Sequence, residues 1–381
     1  MTLQLERIAL REIRLPLKEP FRISSGICTE RRIALLELTD ASGMVAWSEC
    51  VAGELPYYSA ETIDTAWHAI REWLAPMVLG VPIDRPESIH RLFEHDVCGH
   101  NMAKAAIEMG CWDLEARHRD MSLSRLLGGT RDRVPTGISI GIQDSPEALV
   151  TRARRALADG YRKIKVKIRP GADVEYVGAV RQALGDDVSL MADANSAYHL
   201  SDADHLAKLD AFGLLMIEQP LGREDLVRHA ELQRRLRTPI CLDESITDVE
   251  RCEDMIALGA GRIVNIKPGR VGGFTVAKGI HDLCEQNGMA VWCGGMLESG
   301  IGRAHNVALA SLPNFSLPGD LSPSARYWAR DVVIPQWTMD RDGLVPVPTG
   351  RPGIGVEPDI DYIDDLTVRR EELVAGAAVR G

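Results

Sequence analysis

A chain of 381 residues with 45% hydrophobic and 26% charged content exceeds one ordinary domain and calls for two domains, or one large barrel with additions. Lys+Arg 44 against Asp+Glu 55 gives a net charge of -11, which argues against nucleic acid or an anionic membrane surface and favours a small-molecule partner. No segment approaches the roughly 18 uncharged apolar residues of a membrane helix, the opening MTLQLERIALREIRLPLK is too charged for a signal peptide, and the eight cysteines form no CxxC pair, so they read as buried thiols of a cytoplasmic protein.

Three strand-like runs come first: RIALREIRLPL, RRIALLELTD and MVAWSECVA, the last two joined by turn residues Asp40 to Gly43 as in an antiparallel meander. Two helices follow. SAETIDTAWHAIREWLAPMV opens at Ser59 and carries the stripe Ile63, Trp67, Ile70 and Leu74. NMAKAAIEMGCWDLEARHRD places Ala105, Met109, Trp112 and Ala116 at helical spacing. LLGGTRDRVPTG, with paired glycines and a proline among charges, reads as a boundary. The expected organisation is a capping unit over 1–130, a barrel over 131–325, and a segment over 326–381 that returns to complete both.

From Val134 short apolar runs alternate with amphipathic stretches. VPTGISIGI, YRKIKVKI, DVSLMADAN, FGLLMIEQP, TPICLDES, RIVNIKPG, MAVWCGG and FSLPGD are eight strand candidates. Strands alternating with helices mean parallel βαβ units, and eight of them mean a (β/α)₈ barrel of the TIM type beside an α+β cap.

The candidate strands two to six end in Lys167, Asp193, Glu218, Asp243 and Lys267, at steps of 26, 25, 25 and 24 residues. Each step is one βα unit, so five consecutive strands deliver a charge to the C-terminal rim, where barrel enzymes keep their active sites. Parity places Met191 with Asp193, Met216 with Glu218 and Asn265 with Lys267 on the inner face. A single Asp after a strand is as readily a helix N-cap; three acids in register, flanked by two lysines, are not explained that way. Three converging carboxylates repel one another unless a cation sits among them, and oxygen ligands without His or Cys favour Mg²⁺.

Lys163, Lys165 and Lys167 alternate along one strand and so share one face. Burial and a neighbouring cation both favour a neutral amine. Lys167 is therefore the expected reactive amine, Lys165 its tuning neighbour, and Lys163 a solvated residue near the bottom of the strand. Lys267 stands across the mouth. Two amines on opposite faces of a substrate suit abstraction of a proton next to a carboxylate, with the resulting enediolate stabilised by the metal and nearby donors.

These residues together, with LLGG before the barrel, KxK at Lys165–Lys167, DAN at Asp193, EQP at Glu218, DES at Asp243 and NIKPGRVGG at Lys267, resemble the enolase superfamily and its muconate-lactonizing-enzyme subgroup. CVAGELPYYS, ISIGI, VWCGGMLESGIGRAHNVALASLP and LPGDLSPSARY are similar to its o-succinylbenzoate synthase / N-succinylamino acid racemase branch. The resemblance implies Lys167 and Lys267 as the acid–base pair, Asp193, Glu218 and Asp243 as ligands of Mg²⁺ (or Mn²⁺), and Lys165, Asn195 and Glu244 as supports. It implies a pocket lined by Ser139, Gly294, Gly295 and Met296, with Phe21, Ser24 and Tyr57 on capping loops and Arg270 marking racemase activity. It further implies a small carboxylate substrate, a homo-oligomer (dimer or octamer), and dehydration in menaquinone synthesis or racemisation of an N-succinylamino acid. Dipeptide epimerase and muconate cycloisomerase are the alternatives; an epimerase usually carries Asp-x-Asp near the eighth strand, where PGDLSPS has Asp320 alone.

Two other readings are weaker. GISIG matches the G-x-S-x-G nucleophile pattern, but Ser139 stands between two isoleucines inside a strand rather than at a sharp turn. A barrel kept only as a scaffold would not retain all five rim charges.

Overall fold

The computed structural model describes residues 2–23 and 26–376, the side chains of residues 21–23 and 26 excepted. The N-terminal sheet contains β1 (Leu3–Ile23), β2 (Gly26–Asp40) and β3 (Val45–Cys50), paired antiparallel in chain order. Both of its faces are covered, which explains why these strands read as near-continuous apolar runs. Ile8, Leu10, Leu36 and Leu38 face a cluster shared with the cap helices, whereas Ile13, Leu15, Ile33 and Leu35 join the core shared with the barrel.

The helix expected after Ser59 begins instead at Ile63, because Thr62 accepts a hydrogen bond from the Thr65 amide in a capping box. Its stripe Ile63, Trp67, Ile70 and Leu74 is buried as expected. The second helix, Asn101–His118, is buried on all sides from Met102 to Ala116, so its inward-facing Glu108 and Asp113 must find partners inside the protein.

Seven parallel strands form the barrel wall: β4 (Ile138–Ile140), β5 (Ile164–Lys167), β6 (Leu190–Asp193), β7 (Ile217–Glu218), β8 (Ile240–Leu242), β9 (Ile263–Ile266) and β10 (Ala290–Cys293), adjacent in that order. The eighth expected strand, FSLPGD, is irregular, since Pro318 offers no amide to a ladder. It nevertheless closes the wall: the Asp320 amide donates to the Cys293 carbonyl on one side (2.8 Å), and the Gly137 amide donates to the Gly319 carbonyl on the other (2.7 Å). The first run, VPTGISIGI, divides in two. Arg133–Pro135 pairs with Leu344–Pro346, and only Ile138–Ile140 enters the barrel. The last strand, β11 (Thr367–Val374), returns to pair with β1.

Cap and barrel are joined by carboxylates that finish each other's helices. Glu49, on β3, accepts from the Ser299 hydroxyl (2.6 Å) and from the amides of Ser299 and Gly302 (both 3.1 Å), at the start of the barrel helix Gly300–Ala310. Glu108 accepts from the amides of Phe274 (2.8 Å) and Thr275 (2.9 Å), the first residues of Phe274–Gln286. That helix is preceded by Gly273, which has no side chain to cap it and no room for one beside the Glu108 carboxyl. The orphan amides of two barrel helices are thus satisfied from the cap.

Burial, opposed by these hydrogen bonds, raises the Glu49 carboxyl from 4.5 to about 8 and that of Glu108 from 4.5 to about 7. A carboxyl raised in the folded state contributes stability that is complete below its unfolded pKa and is lost as pH rises through the folded value. Thermal stability should therefore fall between pH 4.5 and about 8. Glu49→Gln should flatten that slope, which melting curves at pH 5 and pH 8 would measure; the Glu49 contribution is at most on the order of 4 kcal/mol.

The expectation that all cysteines are buried holds for six; Cys28 is half-buried and Cys98 exposed, and all eight are free thiols.

Candidate active site

The barrel interior is layered. Met191, Met216, Cys241 and Trp292, one inward position below the strand ends, pack together with Ile263 from one position deeper, which agrees with the parity read from the strands. Above them Asp193, Glu218 and Asp243 are all at most 1% exposed. Asn195 and Gln219, each just beyond a strand end, adopt left-handed backbone (φ 42° and 39°). Such strain in non-glycine residues clusters at functional sites.

Each rim lysine has its own acid. Lys167 Nζ donates to Asp193 Oδ2 (2.6 Å) and to Asn195 Oδ1 (2.7 Å). Lys267 Nζ donates to Asp243 Oδ2 (2.7 Å), while the other oxygen of Asp243 takes the guanidinium of Arg270 and the Tyr58 hydroxyl (2.8 Å). Arg270 is further fixed by the carbonyls of Asn265 (2.6 Å) and Ile246 (2.8 Å). Glu218 stands between the two acid–amine pairs, on β7 between β6 and β8, accepting from Lys165 (3.2 Å) and Asn265 Nδ2 (2.6 Å). Asn195 Nδ2 donates to Glu244 (3.1 Å).

Burial, then the charge of Asp193, pushes Glu218 up to about 8; burial, then Asp243, pushes Glu244 up to about 7. Asp193 and Asp243 go the other way. Burial opposes their ionisation, but Lys167 and Lys165 beside Asp193, and Lys267 and Arg270 beside Asp243, hold both below the ordinary range. Burial disfavours the charged form of Lys267, yet Asp243 beside it holds the amine above its ordinary value. Acids that destabilise one another's charge in this way form a fitting cradle for a hard divalent cation. The donors are all oxygen, and Glu244 Oε2 is buried without a hydrogen-bond partner. A second acidic group, His281, Asp282 and Glu285, lies outside the barrel. Both ring nitrogens of its histidine are already engaged, by Asp282 and the Asn314 amide.

Ser139 lines the wall beside Lys165, buried, with its hydroxyl unpartnered. Gly294 gives the Lys267 stem room, since a Cβ there would meet Lys267 Cε at 2.6 Å. Gly295 likewise abuts the Asp320 backbone. The Met296 amide donates to Glu298 (2.7 Å), and its side chain packs on the cap cluster. Ser24 lies outside the described residues, as does the side chain of Phe21, whose backbone pairs with Cys28.

Two expectations are corrected. Tyr57 is 50% exposed and its backbone carbonyl accepts from Arg223 (3.2 Å); its neighbour Tyr58 points in, with its ring 4.4 Å from Lys267 Nζ. An irregular loop has no periodicity from which to choose between adjacent tyrosines. Lys163 is not solvated: it is fully buried, 3.4 Å above the Trp292 ring, because the barrel interior is closed at that depth and an aromatic face supports the charge. Lys165, expected as a neighbour that tunes Lys167, also has Asp320 2.5 Å from it. Asp320 was discoverable from spacing, since Gly294 and Asp320 continue the steps by 27 and 26 residues.

Tyr58→Phe removes one charge-assisted hydrogen bond from Asp243 without emptying the space. Activity should fall about tenfold with the melting temperature unchanged, measurable by steady-state kinetics beside a thermal melt.

The chain belongs to the enolase superfamily of enzymes: residues 7–128 match the mandelate racemase / muconate lactonizing enzyme N-terminal domain and residues 148–362 the enolase C-terminal domain-like family. Among its relatives, an o-succinylbenzoate synthase from Geobacillus kaustophilus is 47% identical, with 96% of this chain and 97% of the relative covered. An N-succinylamino acid racemase from Amycolatopsis is 48% identical over 97% of this chain and 99% of its own length. A crystal structure of an enolase-superfamily member from Listeria innocua superposes with a TM-score of 0.95 at 40% identity, covering 98% of this chain and all of that one. Among the described residues, no helix is long and apolar enough to cross a membrane.

Proposed function

We propose that the protein removes a proton from the carbon next to a carboxylate through an enediolate, acting as an o-succinylbenzoate synthase, an N-succinylamino acid racemase, or both. The observation that carries this is the opposed pair of lysines: Lys167 on Asp193 and Lys267 on Asp243, with Glu218 between them. Two amines facing one cavity from separate strands can address the two faces of a single carbon.

In the racemase direction one lysine takes the proton as a free amine while the other, as an ammonium, delivers one to the opposite face. In the dehydration one lysine takes the proton and the other remains a cation beside the enediolate. Asp193, Glu218 and Asp243 would hold Mg²⁺ or Mn²⁺, whose chemistry is to neutralise those acids and stabilise negative charge on the substrate carboxylate oxygens. Asn195 fixes the direction of the Lys167 amine, Tyr58 shields Lys267 from water, and Arg270 orients Asp243. A succinyl group, carrying a second carboxylate, is the substrate feature shared by the two activities. Asp320 is engaged by Lys165 and is not available to hold a dipeptide's ammonium, which disfavours the epimerase. The free thiols support a reducing cytoplasm, and we place a homo-oligomer there.

The test is incubation with Mg²⁺ and N-succinyl-L-phenylalanine in D₂O, following the α-proton by NMR together with optical rotation. Exchange with loss of rotation supports racemisation. Exchange with rotation retained points to one working base and hence to the dehydratase. No exchange with folded, metal-loaded protein rejects the succinyl substrate.

A further inference from the structure

Asp320 enters the barrel from the irregular segment that closes the wall. It is 7% exposed. Its Oδ2 lies 2.5 Å from Lys165 Nζ, and its Oδ1 lies 3.7 Å from Lys163 Nζ with no hydrogen bond of its own. Lys163 is pinned: a Cβ on Gly137 would sit 2.7 Å from its Cε, and its ammonium rests on the Trp292 face, which Lys165 shares at 4.8 Å. Lys163 therefore cannot rise to claim Asp320, and Asp320 remains with Lys165.

Lys165 has two further acids within reach, Glu218 Oε2 at 3.2 Å and Asp193 Oδ2 at 3.5 Å. The second is the very oxygen that Lys167 uses at 2.6 Å. Two ammonium groups thus compete for one carboxylate oxygen, and the shortest of the three contacts draws Lys165 the other way. On the Lys267 side the second cation, Arg270, uses the other oxygen of Asp243, which leaves Oδ2 to the Lys267 amine.

We propose that Asp320 is a positioning residue for one face of the reaction: by holding Lys165 it leaves Asp193 Oδ2 to Lys167, and so fixes the Lys167 amine against one side of the substrate carbon. This rests on the two-lysine reading above. A residue that merely completed the barrel floor would affect both faces alike.

The experiment measures initial α-proton exchange in D₂O, with Mg²⁺, for N-succinyl-L- and N-succinyl-D-phenylalanine separately. Lys167→Ala identifies the enantiomer whose exchange depends on Lys167. Asp320→Asn, which keeps the volume and removes the charge, should slow exchange of that enantiomer about tenfold or more and leave the other within about twofold. Equal losses for both enantiomers, or no loss for either, overturn the proposal. Because a lone Lys165 charge could unfold Asp320→Asn, the charge-balanced Lys165→Met/Asp320→Asn protein is compared with Lys165→Met. Identical one-sided losses support action through Lys165, and multiplied losses refute it. Folded, metal-loaded wild-type protein that exchanges neither enantiomer rejects the succinyl-substrate reading on which the proposal rests, a failure visible before any variant is made.

Discussion

Lys267→Ala should abolish interconversion of N-succinylphenylalanine enantiomers, by about 10³-fold or more, while one enantiomer still exchanges its α-proton with solvent and keeps its configuration. The expectation follows from geometry. Lys267 and Lys167 sit on different strands with different acids, so deleting one amine leaves the other and its Asp193–Asn195 support intact. Alanine also leaves Asp243 its Arg270 partner, so no buried carboxylate is orphaned. Chiral chromatography beside deuterium incorporation distinguishes the outcomes. Continued interconversion in the variant would show that Lys267 is not a base, and loss of exchange in both enantiomers would show that the two amines do not act independently.

Glu218→Gln should weaken Mg²⁺ binding at least about 100-fold, and with it remove nearly all turnover. This acid is the best choice among the three because its loss is tolerable to the fold. Lys165 retains Asp320 at 2.5 Å, and the amide keeps an oxygen for the Asn265 side chain. Changing Asp193 or Asp243 would instead leave lysines unpaired in the interior. Isothermal titration with Mg²⁺, run beside a melting curve, is the check. Unchanged affinity in a folded variant would place the cation elsewhere.

Much of the molecule was legible because the barrel repeats. A charge at the end of each strand, one βα unit apart, disclosed the rim from Lys167 to Lys267 without knowledge of any loop, and alternation disclosed the methionine layer beneath. What escaped did so for physical reasons. FSLPGD looked like a strand by composition, but Pro318 cannot donate to a ladder, so the wall is closed by a few irregular hydrogen bonds instead. Lys163 was read as solvated because lysine seldom tolerates full burial; only the three-dimensional meeting with Trp292 explains how it does. Tyr58 belongs to a loop without a period, and its partner is 185 residues away in the chain; Asp320 continues the spacing of the strand ends, but its partner Lys165 is 155 residues away. The Ser59 cap was displaced by three residues because Thr62, unlike Ser59, has the reciprocal Thr65 that completes a box.

The carboxylates by which the cap finishes two barrel helices also govern how this site can open. Glu49 and Glu108 are anchored in β3 and in the long buried helix, and grip helices of the barrel wall. These bonds tie the cap body to the barrel, and the segment between Gly53 and Glu61, which places Tyr58 against Lys267 and Asp243, is expected to move for substrate to enter. Motion of such a loop belongs to the nanosecond-to-microsecond scale, faster than a hinge of whole domains. Exchange of that loop could in turn change what fits above the rim while Lys167 and Lys267 stay in place.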